Sequence, residues 1–286
     1  MGFVPGRHAL FRVSRNAMGE PEEWCQRLRS QTQVRGKRKT LKTSRLTGTI
    51  SPEVLFNSVA TKPERLAQIK NTTLFHQDLE ANKLPQWLFV TPNMTSDGHD
   101  TSVTVAGVWL RTFLEPLLTN KNFMQNTLVL ITFDENETYS TQNRVFSVLI
   151  GDSVPKDLVG TTDPHYYNHY SEISTVEANW GLYTLGRWDV GANVFAHVAA
   201  HTGDRLRTWY TKPTLQNRYF NFSYPGIFNS KTWSPAPVPD CHSNRNGRTT
   251  LPAIKKEWIK EQKKNYYHGQ LEIPDGYNPP LYPYSY

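Results

Sequence analysis

Three short polar stretches hold the side chains from which hydrolytic chemistry is usually built. Thr91-Pro92-Asn93-Met94-Thr95-Ser96-Asp97-Gly98-His99-Asp100 places two carboxylates and an imidazole within four residues. Asp134-Glu135-Asn136 puts two acids side by side, and Asn168-His169-Tyr170-Ser171-Glu172 adds a second imidazole and a further acid. Carboxylates with imidazoles are the ligand set of hard or borderline divalent cations. Such a cation would polarise a phosphoryl oxygen, activate a nucleophile and neutralise developing charge. Each stretch also has a plain structural reading. Asp97-Gly98 suits a turn, Asp134-Glu135 a solvated strand end or a helix N-cap, and His169 a surface position.

What joins the first two stretches is the elements expected in front of them. Gln86-Trp87-Leu88-Phe89-Val90-Thr91 is a short apolar run bounded by proline, which predicts a buried strand. Asn126 to Phe133 is apolar on both faces, rich in β-branched residues and ends abruptly in acids, the pattern of a central strand. A third strand is expected over 144–150. Helical spacing predicts helices over 63–70, 74–82, 102–118, 171–180 and 253–264. Buried strands alternating with helices imply an α/β domain with a largely parallel sheet. In such a sheet ligands bind beyond the carboxyl ends of the strands, where the first two clusters stand.

Composition limits the alternatives. With 37% hydrophobic and 12% aromatic residues, the 286-residue chain can build a packed core. No run reaches the roughly 20 apolar residues of a spanning helix, and residues 1–16 contain no apolar run of signal-peptide length. The net charge of +7 is not spread evenly: residues 1–50 hold 11 Lys/Arg against 3 Asp/Glu, and the remainder 21 against 22. The basic run around 35–45, which includes Lys37-Arg38-Lys39, is therefore read as a solvated, disordered tail rather than as a nucleic-acid site. Cys25 and Cys241 are too few for a disulfide framework and form no metal motif. The boundaries that follow are 1–50, an unrelated basic segment expected to be largely irregular; 51–212, the α/β domain; and 213–286, a Pro/Tyr-rich extension that wraps the same domain.

The phrases LPQWLFVTPNMTSDGHDTSVTVAG, TLVLITFDEN, HYSEISTVEANWGL and LGRWDVGANVF, with the tail phrases GRTTLPAIKKEW and EIPDGYNPPLY, resemble the fungal secreted acid phosphatases. These belong to the phosphoesterase family that also contains bacterial phospholipases C. The resemblance runs from about Ser51 to the C terminus. It implies an alkaline-phosphatase-like α/β core, incomplete here at its N-terminal side, and hydrolysis of phosphate monoesters with a divalent metal ion of unspecified identity. Residue by residue, it implies metal-ligand roles for Asp97, Asp100, Asp134 and Glu135, catalytic roles for His99 and His169, and a substrate-orienting role for Asn93. It implies a secreted or cell-wall location, with which the sequons at Asn71 and Asn221 agree; those at Asn93 and Asn136 fall inside site motifs and are discounted.

The departure from the family is at the front. The further Glu-Asn metal motif with which the family begins and its Ser-x-Pro-Asn-Tyr-type nucleophile segment are not found ahead of the motifs above, and the N-terminal stretch is unrelated in sequence. The expectation is a truncated member with little intrinsic activity. The rival readings are a phospholipase C-like phosphodiesterase and a catalytically inactive remnant.

Overall fold

The structure, a computed structural model, describes residues 56–136, 144–206 and 239–260, together with the backbone of 8–14. These residues form two compact units. The first holds 8–14, 56–136 and 144–157; the second holds 158–206 and 239–260. The division after Asp157 falls inside the 51–212 segment. The architecture is mixed helix and strand, as an α/β protein requires, and no described helix is long and apolar enough to cross a membrane.

The first unit is a four-stranded sheet with a helical cover. Its strands are β1 (His8–Ser14), β2 (Trp87–Val90), β3 (Thr127–Phe133) and β4 (Val148–Ile150), in the order β2-β1-β3-β4. Every neighbouring pair is antiparallel. This corrects the expectation of a largely parallel sheet, and also that of an irregular 1–50 segment, at seven positions. The run His-Ala-Leu-Phe-Arg-Val-Ser supplies a strand that lies between β2 and β3. The remaining positions of 1–50, including the basic run, lie outside the described residues, as do 207–238 and 261–286.

Because β2 and β3 both run antiparallel to β1, they run in the same direction as each other. The link between them is the helix α4 (Val103–Leu118), followed by the short α5 (Lys121–Met124). Ser102 starts α4 by accepting a hydrogen bond on Oγ from the Val105 amide at 3.4 Å. Its apolar residues Ala106, Trp109, Leu110, Phe113, Leu114 and Leu117 recur at three- and four-residue intervals and form one stripe. Phe113, Leu114 and Leu117 from that stripe pack with Phe75, Phe123 and Val129 into the core of the unit. The rings of Trp109 and Phe113 stack 5.2 Å apart, and Phe75 lies 5.2 Å from Phe113. Phe75 comes from α3 (Thr72–Glu80), whose N-cap Asn71 accepts the Leu74 amide on Oδ1 at 2.9 Å. Two single-turn helices, α1 (Asn57–Ala60) and α2 (Pro63–Leu66), precede it.

Burial of Leu128, Val129 and Leu130 in succession marks β3 as apolar on both faces, as its sequence predicts. The expected strand 144–150 is shorter, since only Val148–Ile150 pairs with β3. After β4 the chain turns back at Gly151, whose φ of 130° no side chain adopts readily and whose Cβ, if present, would stand 2.1 Å from the Thr127 carbonyl oxygen. The closeness is used: Ser153 donates to that same oxygen from Oγ at 2.9 Å.

The second unit contains the helices α6 (Tyr170–Trp180), α7 (Trp188–Gly191) and α8 (Ala196–Thr202), the hairpin β5 (Asn244–Arg245) and β6 (Arg248–Thr249), and α9 (Pro252–Trp258). The hairpin turns on Asn246-Gly247, both at positive φ, the residue pair that a type I′ turn needs. Thr184 bridges to the strand end, donating its amide to the Thr249 carbonyl at 3.0 Å. α9 begins with proline at its first turn, where the missing amide hydrogen removes no helical bond.

Candidate functional site

The register of the sheet fixes the relation between the two acid clusters of the first unit. Val90 of β2 and Ile131 of β3 both pair with Leu10, so they stand in one row across the sheet. With strands about 4.8 Å apart, the carboxyl ends of β2 and β3 leave the same edge of the sheet, roughly 10 Å from each other. His8 faces Phe133 there, so β1 enters the sheet at the edge from which the two clusters emerge.

The β2 cluster is tightly folded. The amides of Ser96 and Asp97 donate to the Asn93 carbonyl at 2.8 and 2.9 Å, and the Asp100 amide donates to Met94 at 2.9 Å. Gly98, at φ 87°, completes the reversal. Asp97 is only 1% exposed. Its Oδ1 accepts the His99 amide at 2.8 Å, while its Oδ2 is buried with no hydrogen-bond partner among the described residues. Thr91 Oγ1 is likewise buried and unpartnered. Thr95, by contrast, donates its hydroxyl to Asn93 Oδ1 at 2.9 Å. Nδ1 of His99 lies 3.1 Å from Asp100 Oδ1, with both side chains about half exposed. A carboxylate so placed orients the ring and turns Nε2 outward.

The β3 cluster is more open. Asp134 and Glu135 are exposed, and Asn136 is half-buried. Just before it, the Thr132 and Ser147 hydroxyls meet at 2.8 Å.

The oxygen-rich donor set suits a hard divalent cation. The orphaned Asp97 Oδ2 is the kind of buried oxygen that such a cation would satisfy. Among the described residues, however, no three His, Cys, Asp or Glu side chains gather as a ready metal centre. The residues therefore match a metal in chemistry without closing a coordination shell.

His169 belongs to the second unit. It occupies the N-cap position of α6 and is exposed, and its side chain does not cap the helix. Beside it, the amide of Tyr170 donates to Asn168 Oδ1 at 3.0 Å, and the Tyr170 ring stacks on Trp188. Burial pushes the Glu172 carboxyl, one turn into the helix, up to about 8. A carboxyl held neutral near pH 7 can act as a proton donor, a feature that the sequence did not single out.

A second arrangement missed from sequence is Asp163-x-His165-x-Tyr167. Asp163 accepts from the His165 amide at 3.0 Å, faces His165 Nδ1 at 2.6 Å and accepts from the Tyr167 hydroxyl at 2.6 Å. Burial alone would raise the Asp163 carboxyl, but the bonds from Tyr167 and His165 outweigh it and hold the group below its usual range. The alternating spacing was its visible signal. Tyr167 in turn accepts the Ala196 amide at 3.0 Å, which ties this loop to α8.

Comparison with known proteins adds the chemistry that the geometry leaves general. Residues 47–183 match the phosphoesterase family. A phosphate-repressible acid phosphatase of Penicillium chrysogenum is 45% identical over 237 residues, covering 81% of this chain and 54% of its own length. An acid phosphatase of Aspergillus fumigatus is 50% identical over 184 residues, 64% of this chain and 40% of its own. A phosphatidylinositol-3-phosphatase of Mycobacterium tuberculosis is 32% identical over 103 residues, 36% of this chain and 32% of its own. The chain thus spans about half the length of the curated fungal relatives it matches. No solved structure matches it.

Proposed function

We propose that the chain, whose residues 47–183 match the phosphoesterase family, takes part in acid-phosphatase-type hydrolysis of phosphate monoesters. The observation that carries the reading is Asp97: a buried carboxylate with one orphaned oxygen, at the same sheet edge as Asp134 and Glu135. A fold gains no stability from such an oxygen. A ligand that arrives to satisfy it explains its retention.

In this reading Asp97, Asp100, Asp134 and Glu135 hold a divalent ion, which when bound offsets the charge of the phosphoryl oxygens. Asn93 orients the phosphate. His99, set by Asp100, exchanges the proton of the leaving oxygen through Nε2. The same-direction pair β2 and β3, joined through α4, is the part of an alkaline-phosphatase-like core that this chain contributes. The family's secreted or cell-wall location comes with the same reading.

A covalent route also needs a hydroxyl in line with phosphorus. The family's Ser-x-Pro-Asn-Tyr-type segment does not occur in the sequence. Thr91 is the better placed substitute, because its hydroxyl is buried and unpartnered, whereas that of Thr95 is engaged by Asn93. The experiment is hydrolysis of p-nitrophenyl phosphate against bis(p-nitrophenyl) phosphate, with and without added divalent ions. Faster cleavage of the monoester supports the reading, and faster cleavage of the diester supports the phospholipase C-like alternative.

A further inference from the structure

The second unit holds a buried charged cluster that the proposed chemistry does not use. Glu177, near the end of α6, is 2% exposed, and Asp189 on α7 is 1% exposed. Asp189 is well served as an anion, since Oδ2 accepts the Leu185 amide at 2.7 Å and Oδ1 the Arg187 amide at 2.9 Å. Glu177 meets no N–H or O–H donor among the described residues, and its carboxyl lies against that of Asp189.

The hairpin supplies the facing cations, Arg245 from β5 and Arg248 from β6. Arg245 donates from Nη1 to Ser174 Oγ at 2.7 Å, and to the carbonyls of Asp189 at 3.2 Å and Val190 at 3.1 Å, as well as to that of Ala192. Its Nε lies 3.4 Å from Asp204, just beyond the Gly203 cap of α8. Arg248 grips the same Asp204 with both terminal nitrogens. Two guanidinium groups and three carboxyl groups, those of Glu177, Asp189 and Asp204, are therefore buried in this unit. Two of the three are balanced, one by the Arg pair directly and one by the charge that remains. The third would bury an uncompensated negative charge, which in the interior is expelled by protonation.

We propose that Glu177 is the protonated member, that it donates its proton to Asp189 in the folded protein, and that this shared proton makes the second unit hold together in acid and loosen as the pH rises. The direction is set by linkage. Burial, and after it the neighbouring Asp189 charge, drives the Glu177 carboxyl well above its usual range; burial also raises Asp189. Arg248 and Arg245 pull the other way without reversing the effect. In the unfolded chain both groups ionise in the ordinary carboxylate range. Unfolding above that range therefore releases a proton, and the folded state loses ground with each pH step up to the folded-state value of the pair. The inference is independent of the catalytic reading.

The test is denaturant unfolding of the full chain between pH 5 and pH 9, for wild type and Glu177→Gln. Glutamine keeps the size and a donor toward Asp189 but has no proton to lose. In wild type the folded-to-unfolded ratio should fall by up to about a hundredfold per pH unit where Glu172 and Glu177 each release a proton on unfolding. In the variant the fall should be smaller by one proton's worth, leaving it the more stable protein at the upper end. Equal slopes in the two proteins would overturn the proposal. Should Glu177→Gln fail to fold, the infrared spectrum of Glu172→Gln at pH 7, with glutamate isotopically labelled, decides the matter, since that variant removes the other glutamate held neutral near pH 7. A protonated-carboxyl carbonyl band from glutamate supports the lock, and its absence overturns it.

Discussion

Arg248 holds Asp204 from both sides of its carboxylate, with Nη1 donating to Oδ2 at 3.1 Å and Nη2 to Oδ1 at 2.5 Å. The two residues are 44 positions apart and come from β6 and the end of α8. This fork fastens the hairpin 244–249 to the helices that precede it in the chain. Thr202 adds a hydroxyl to Oδ2 at 2.7 Å.

Removing one side of the fork strands the other in the interior. Arg248→Ala should destabilise the protein by about 3–5 kcal/mol, read from the urea midpoint. Arg248→Lys should recover only part of this loss, since an ammonium cannot reproduce the two parallel bonds. An urea midpoint for Arg248→Ala equal to that of wild type would deny the fork its structural role.

Asp204 also gives an acid-side prediction of opposite sign to the Glu177 lock. Burial would raise its carboxyl, but the bonds from Arg248 and Thr202 and the charges of both arginines hold it below the usual range. A lowered folded-state value means stability that is complete above the ordinary aspartate range and lost as the pH falls through it. Asp204→Asn should therefore be less stable than wild type at pH 6 and lose its disadvantage toward pH 2–3. Thermal melts across that range check it.

Gly151→Ala would put a methyl group 2.1 Å from the Thr127 carbonyl oxygen at a φ of 130°. Backbone atoms cannot rotate out of the way as a side chain can, so a loss of at least about 1–3 kcal/mol is expected. In the same unit, Phe113→Ala should cost about 3–5 kcal/mol by opening a cavity in the core. Midpoints within experimental error of wild type would contradict the packing described for this unit.

Much of the first unit was legible in the sequence because its signals are local. The apolar stripe of α4, the doubly apolar β3 and the Ser102 cap each declare themselves within a few residues. The His8–Ser14 strand was not legible, since its residues sit in a basic, uneven stretch and its place is set by a gap between two strands more than 70 residues away. Within the site, the motifs at Asp97 and Asp134 could be read from the strand ends. What could not be read is that Asp97 is buried with an orphaned oxygen while Asp134 and Glu135 are exposed. The Glu177–Asp189–Arg245–Arg248–Asp204 cluster is assembled from four separate elements and the segment after α8, and no spacing along the chain announces it.

A functional role for Asp97 makes a prediction that a structural role would not. Asp97→Asn keeps an oxygen to accept the His99 amide and removes a buried charge that is unsatisfied on one side. Stability should stay within about 1 kcal/mol of wild type or rise, while metal-dependent phosphate binding, measured by calorimetry, is lost. A large destabilisation with binding retained would make Asp97 a scaffold residue.

We propose that the acids of this chain serve a phosphate monoesterase site. The most direct test of that proposal joins the chain to the part of the Penicillium chrysogenum acid phosphatase that it does not match, and measures p-nitrophenyl phosphate hydrolysis with divalent metal present. The chain by itself should turn over slowly. The joined protein should be active, and Asp134→Asn in it should lower kcat/KM by more than about 100-fold, since even indirect changes around a metal site cost roughly 10–100-fold. A joined protein that folds yet hydrolyses nothing, or one in which Asp134→Asn is as active as the parent, would contradict the account.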